Sequence, residues 1–221
     1  HDTHTDLLGD TDLVFTSELP FDKVDVLFLC SGHGQSKKFL EENAVPDSAK
    51  IIDLSTDYRD ESEGFVYGLP ELNRERIKTA NKVANPGCFA TTIQLALLPL
   101  AKAGLLGEIH ISAITGSTGA GQALSSSTHF SWRNNNMSIY KAFTHQHLTE
   151  IGQSLKQLQD GFTEEINFIP YRGNFTRGIM ANVYLNYDGS VEDARNLFSD
   201  YYSEHPFTHI SDKPVDVKQV V

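Results

Sequence analysis

VDVLFLCSGHGQSKKFLEENAVPDSAKIIDLST, residues 24–56, carries the pattern on which the fold turns. VDVLFLCS (24–31) is a continuous apolar run ending in small residues, as a strand buried on both faces does. KKFLEENAVP (37–46) has its apolar residues at helical spacing, and KIIDLST (50–56) repeats the buried-strand pattern. Strand, helix and strand in this order make a βαβ unit, because parallel neighbours need a crossover between them. Both strands run out into polar loops, SGHGQS (31–36) and STDYRD (55–60), and an open parallel sheet binds ligands outside the carboxyl ends of its strands. A short third strand, KVANPG (82–87), then delivers the chain to Cys88.

Beyond Cys88 the texture changes. Phe89–Ala103 reads as a helix closed by Gly104, with Pro99 predicting a kink or break near its end. IHISAITG (109–116) alternates as a strand and leads into a Gly/Ser-rich loop, GSTGAGQALSSSTHF. HLTEIGQSLKQLQD (147–160) sets Ile151, Leu155 and Leu158 at helical spacing. INFIPYR (166–172) and GIMANVYLNY (178–187) read as strands, and VEDARNLFSDYYSEH (191–205) as an amphipathic helix. The expected architecture is α/β in two parts: a parallel-sheet domain over 1–86, and a second α/β domain over 87–221 with a mixed or antiparallel sheet. The chain opens without an initiator Met and closes on DVKQVV, which reads as a strand cut short, so a piece of a longer protein is expected.

Composition narrows the partners. With 39% hydrophobic and 21% charged residues over 221 positions, the chain has the make-up of a globular protein. Its 18 Lys+Arg against 29 Asp+Glu give a net charge of -11, which repels nucleic acid at long range. No apolar run reaches the roughly 18 residues of a membrane span, and HDTHTDLLGD is no signal peptide. Two cysteines, Cys30 and Cys88, are too few for a disulfide framework, so a cytoplasmic setting is expected.

Cys88 sits in NPGCFATT (85–92), between a Pro-Gly turn and a helix start. Unpaired backbone N–H groups and the helix dipole at that place favour a thiolate, so a lowered pKa and a nucleophilic role are expected; a small buried hydrophobe is the alternative. A base is offered by THQH (144–147). On a strand, His145 and His147 would share one face, which suits acid–base work better than a metal, since no third ligand of matching spacing accompanies them. His110 reads as structural, and His1, His4, His205 and His209 as surface residues. Ser31, His33, Gly34 and Ser36, in the loop after the first strand, are candidates to face a nucleotide, although SGHG is not the G-x-G-x-x-G fingerprint. GSTGAG (116–121) is no P-loop; it is either a nest of N–H groups for a phosphoryl or carboxylate oxygen or a plain surface loop. Arg59, Arg172 and Arg177 stand beside loops that follow apolar runs, where a guanidinium grips carboxylate or phosphate bidentately or serves a surface ion pair.

The succession IIDLSTDYR (51–59), YGLPE (67–71), NPGCFATT (85–92), GSTGAG (116–121), YKAFTHQH (140–147) and FTRGI (175–179) resembles the N-acetyl-gamma-glutamyl-phosphate reductases of arginine biosynthesis, in order and spacing over nearly the whole chain. The resemblance implies an NADPH-dependent, homo-oligomeric enzyme acting on a small acyl phosphate, with a Rossmann domain (incomplete here) and a catalytic domain. It implies Cys88 as nucleophile and His145 as acid–base residue. Substrate binding falls to Arg59, Ser117, Gly119, His147, Arg172 and Arg177, cofactor binding to Ser31, His33, Gly34, Ser36 and Asn85, and no metal is called for. Two departures stand out. The family's glycine-rich dinucleotide fingerprint is absent, and FIPYRGNFTRGI replaces a sequence closer to His-Leu-x-Pro before the Arg-Gly. Arg172, in that second departure, raises the choice between an N-acetyl and an N-succinyl substrate, because only the latter ends in a carboxylate.

Three rival readings remain at this point. Aspartate-semialdehyde dehydrogenase shares the thioester logic but has a different cysteine motif. A cysteine hydrolase would use the same Cys and His and leave the βαβ unit unexplained. A non-enzymatic binding module would carry a thiol of ordinary reactivity.

Overall fold

The computed structural model describes residues 15–121 and 123–219. Four short parallel strands form the first sheet: β1 (Val26–Leu29), β2 (Lys50–Asp53), β3 (Val66–Tyr67) and β4 (Lys82–Ala84), in the order β1-β2-β4-β3. Helix α1 (Gln35–Glu42) makes the crossover from β1 to β2 and presses Phe39 and Leu40 onto a core of Leu29, Ile51, Tyr58, Phe65 and Ala84. The expected βαβ unit is therefore present. The expectation that β1 is buried on both faces is not met among the described residues: there β1 lies at the sheet edge, and Val26 and Phe28 stand exposed because nothing among them covers their face. Helix α2 (Pro70–Thr79), which begins on Pro70 where a missing N–H costs nothing, was not anticipated; neither was β3.

Helix α3 (Cys88–Lys102) is the longest in the chain, and it joins the two halves. Its buried side chains, Phe89, Ala90, Ile93, Leu97 and Ala101 among them, pack with Ile151 and Leu155 of α5 (His147–Leu158) onto one face of a second sheet. Pro99 does not break α3. The carbonyl of Leu95, which loses its usual N–H donor to the proline ring, instead accepts the Tyr202 hydroxyl at 2.6 Å from α6 (Val191–Tyr202). At the far end Gly104, at φ 71°, closes the helix: Leu105 N–H reaches Leu100 O and Gly104 N–H reaches Ala101 O, both at 3.0 Å. This is a Schellman stop, which needs the left-handed residue that glycine supplies without strain.

The second sheet runs β6-β7-β5-β8, built from β5 (Ile109–Thr115), β6 (Ser138–Ile139), β7 (Ile166–Arg172) and β8 (Ile179–Tyr184). It is mixed: β5 and β7 are parallel, and β8 and β6 pair antiparallel to them. Along β5, buried Ile109, Ile111, Ala113 and Thr115 alternate with half-buried His110, Ser112 and Ile114, so α3 and α5 cover one face and leave the other open. A short helix, α4 (Phe130–Arg133), interrupts the loop between β5 and β6. The strand expected at the end of the chain is instead a 3-10 turn at Val217–Gln219; Val220 and Val221, like His1 and His4, lie outside the described residues.

Candidate active site

Cys88 is the first residue of α3, presented to solvent where β4 hands the chain over from the first sheet. The two residues that flank it bracket the histidine pair. On one side, a Cβ on Gly87 would lie 2.3 Å from His147 Nε2 and 2.7 Å from Glu150 Oε1, so no side chain is admissible at that position. On the other, the Phe89 ring packs edge-on against His145 at 5.5 Å and His147 at 6.4 Å. The two imidazoles are 4.5 Å apart, and both are buried. They do not lie on a strand: His145 ends a loop and His147 opens α5, so the pair is held by a helix start.

Glu150, one turn into α5, is the hub. Its carboxylate accepts from Arg59 Nη1 at 2.9 Å, Tyr67 Oη at 2.7 Å and the backbone N–H of Gly87 at 3.0 Å. Arg59 also donates through Nε to Asn85 O at 2.9 Å, and Gln94 Nε2 donates to Tyr67 Oη at 2.7 Å. These bonds tie the β2 loop, β3, the nucleophile turn and α5 into one buried network, and buried ions of this kind need such partners.

Burial pushes both histidines from 6.5 to about 4; at His145 the neighbouring His147, Lys141 and Arg172 add to it against Glu150, and at His147 Arg59, His33 and Lys141 add to it. Both are neutral at physiological pH. His147 N–H donates to His145 Nδ1 at 3.2 Å, which leaves the His145 proton on Nε2. The thiol itself is not poised as expected. Although Cys88 is open to solvent, the protein packed around its sulfur disfavours the thiolate and pushes the thiol up; the N–H groups of Phe89 and Cys88 and the Arg59 charge pull it down, Glu150 adds to the rise, and the net direction is upward. The helix start is there, but desolvation outweighs it.

Beside this cluster, at the carboxyl ends of β1 and β2, lies a cleft of about 580 Å³ lined by His33, Lys37, Thr56, Asp57 and Arg59 on one side and by Lys141, Gln146 and Glu150 on the other. Among the described residues no helix is long and apolar enough to cross a membrane, and no group of three or more His, Cys, Asp or Glu is arranged to hold a metal ion.

Two family models match the chain: the semialdehyde dehydrogenase NAD binding domain over residues 1–80, and the semialdehyde dehydrogenase dimerisation domain over 88–221. The N-acetyl-gamma-glutamyl-phosphate reductase of Parabacteroides distasonis is 59% identical over 223 aligned residues, covering 100% of this chain and 69% of that protein. The reductase of the same name from Christiangramia forsetii is 57% identical, over 99% of this chain and 68% of its own length. The chain belongs to the N-acetyl-gamma-glutamyl-phosphate reductase family. Among solved structures, aspartate semialdehyde dehydrogenase II from Vibrio cholerae shares the fold, at TM-score 0.66 and 16% identity over 91% of this chain and 67% of that one.

Within the reductase family's motifs, the structure sorts the expected site residues. Cys88, His145 and His147 come together, with Arg59 behind them as Glu150's ion-pair partner, so its guanidinium is already engaged. In the SGHG loop, the backbone N–H groups of Gly34 and Ser36 are engaged within the chain. The Asp57 carboxylate already accepts from Gly34 N–H at 2.7 Å, Ser36 N–H at 3.1 Å and Lys37 N–H at 3.2 Å, and Ser36 Oγ is buried on Asp53 at 2.6 Å. His33 lines the cleft with Nδ1 accepting from Thr56 N–H; Ser31 and Asn85 are exposed. GSTGAG is no open nest either: Ser117 N–H goes to Phe175 O, Thr118 N–H to Thr176 O and Gly119 N–H to Gly116 O. Ser117 and Arg172 line a second pocket, whereas Gly119 does not, and Arg177 stands exposed on the 173–178 turn. His205 is half-buried, with Nδ1 3.0 Å from Arg74 Nη2, rather than a surface residue. Sequence reasoning missed Glu150 and Tyr67. The signal was the i, i+3 spacing from His147 to Glu150, which a helix start converts into proximity.

Proposed function

We propose that this chain is the NADPH-dependent reductase of an N-acyl-gamma-glutamyl phosphate, yielding the N-acyl-glutamate 5-semialdehyde in arginine biosynthesis. The observation that carries the reading is the bracketing of Cys88 by Gly87 against His147 and Glu150, and by Phe89 against both histidines. A hydrolase would need only the thiol and a histidine. The cleft at the carboxyl ends of parallel strands, next to the thiol, supplies the place for a dinucleotide. His33, Lys37 and Thr56 fit that role, and the cleft's size and position suit the nicotinamide end. NADPH, when bound, supplies the hydride that reduces the thioester.

Cys88 Sγ attacks the acyl carbon, the bond from that carbon to the phosphate oxygen breaks, and the thiol proton leaves with the phosphate as hydrogenphosphate. The helix-start N–H groups of Cys88 and Phe89 face the charge that builds on the carbonyl oxygen. His145, neutral with its proton on Nε2, hydrogen-bonds to that oxygen and keeps the proton, and Nδ1 stays on His147 N–H. When the aldehyde departs, Cys88 is left as a thiolate and takes a proton to close the cycle. Glu150 acts through others: it holds Gly87 and Arg59 and so sets where the thiol sits. A free thiol with this job suits a reducing compartment, and we assign the enzyme to the cytoplasm. The open face of the second sheet, in the part of the chain matched by the dimerisation-domain model, is the surface through which copies pair.

The assay is phosphate-dependent NADP reduction with an N-acyl-glutamate semialdehyde, run on the full-length protein and on Cys88→Ser. Turnover that requires phosphate and vanishes in the variant supports the reading. Turnover without phosphate, or a variant within a few-fold of wild type, removes it.

A further inference from the structure

Beside the nucleophile lie two arginines whose charge nothing neutralises. Arg59, the other buried arginine, is paired with Glu150, but among the described residues Arg133 and Arg172 have no carboxylate within ion-pair distance. Arg133 is 6% exposed. It is fixed by the carbonyls of Arg172 at 2.9 Å and Ser127 at 3.0 Å and by Ser138 Oγ at 3.1 Å, with a weaker bond to Asn136 O at 3.4 Å, while its Nε is buried without a partner. Arg172, at the carboxyl end of β7, lays its guanidinium 4.6 Å from the centre of the Tyr140 ring, and Tyr140 packs edge-on to His145 at 5.7 Å. Both arginines line a pocket of about 350 Å³ with Ser117, Thr118, Thr128 and Phe130. Burial, then the charge of Arg172, holds Arg133 below the ordinary guanidinium range, so each feels the other. A buried cation without a counter-ion is costly, and in a chain of net charge -11 a carboxylate could have been placed there. Arg172 is held beside the Tyr140 ring, which it also reaches by a side-chain hydrogen bond, and no carboxylate pairs with it among the described residues.

We infer that this pocket receives the N-acyl arm of the substrate and that the arm ends in a carboxylate, as a succinyl group does. Arg172 grips that carboxylate and Arg133 supplies the fixed positive field behind it. An acetyl arm ends in a methyl group and leaves both charges bare. The inference rests on the reductase reading for the reacting end of the substrate and concerns the opposite end.

The experiment compares kcat/KM for N-succinyl- and N-acetyl-glutamate 5-semialdehyde in the full-length protein, in Arg172→Gln and in Arg172→Lys, with thermal melting to show that the variants fold. Calorimetric binding of N-succinylglutamate and N-acetylglutamate runs alongside. Wild type should favour the succinyl substrate at least about tenfold, and Arg172→Gln should lower the succinyl-to-acetyl ratio on the order of ten- to a hundredfold, with Arg172→Lys between. An unchanged ratio, which is the result if Arg172 holds the glutamyl α-carboxylate that both substrates share, overturns the proposal; so does an acetyl preference in wild type. If neither semialdehyde is turned over, the reductase reading fails and the binding arm decides the pocket: a succinyl preference that Arg172→Gln removes supports it, and equal binding overturns it.

Discussion

At Cys88 the helix start and the desolvation of the sulfur by its neighbours pull in opposite directions, and the net direction is toward the protonated thiol. Alkylation by iodoacetamide, resolved from Cys30 by peptide mass, should therefore still be accelerating at pH 9; a plateau reached below pH 8 would show an activated thiolate. In the proposed mechanism the hydrogen bond to the reacting oxygen comes from His145, whose replacement by Asn should lower kcat roughly 10²–10³-fold and leave KM within a few-fold. If His147→Asn gives the larger loss, the two roles are reversed. Cys88 and the histidines were legible in the sequence because a Pro-Gly-Cys turn before a helix and an H-x-H element are local patterns. Glu150 was not, since its importance lies in Arg59, Tyr67 and Gly87, which only folding brings to it. The partner of the Gly34 and Ser36 N–H groups was hidden for the same reason. Asp57, distant in sequence, supplies the anion that those N–H groups bind.

Among the elements, α3 shows how a proline can be absorbed. Pro99 reads as a break by its local chemistry, and the helix continues because Tyr202, on α6, satisfies the carbonyl that the proline frees. Tyr202→Phe leaves Leu95 O buried without that donor and should cost about 1–3 kcal/mol in urea denaturation. An unchanged midpoint would mean that water or a shift of the helix replaces the bond. Long elements with a clear period, such as α3, β5 and α5, were readable within a few residues of their ends. Strand β3 is two residues long and α2 carries few apolar residues, so neither had a period to detect. Exposure of Val26 and Phe28 on β1 follows from the lack of a covering element on their face among the described residues, which a local pattern does not encode.

Across the molecule, the site is also a joint. Glu150 links α5 to the loop after β2, to β3 and to the turn before α3, and the two neutral histidines are enclosed with it. Unfolded histidines take up protons as pH falls through 6.5, whereas the native pair does so only near 4. Between these values the unfolded state binds more protons, so stability falls as the pH is lowered from 6.5 to 4 and is level above 6.5 as far as this pair is concerned. The effect is on the order of a few kcal/mol for the pair. It should appear as a lower urea midpoint at pH 5 than at pH 7.5, reduced when His145 and His147 are both replaced by Asn; an undiminished difference would place the effect elsewhere. The proposed mechanism passes through a thioester between Cys88 and the substrate, and that species can be trapped. Full-length protein is mixed with the N-acyl-glutamyl phosphate without NADPH, quenched in acid and mapped by peptide mass. One N-acyl-glutamyl adduct is expected, on the peptide carrying Cys88, hydroxylamine-labile and absent from Cys88→Ser. An unmodified Cys88 peptide, or the adduct on another residue, would contradict it.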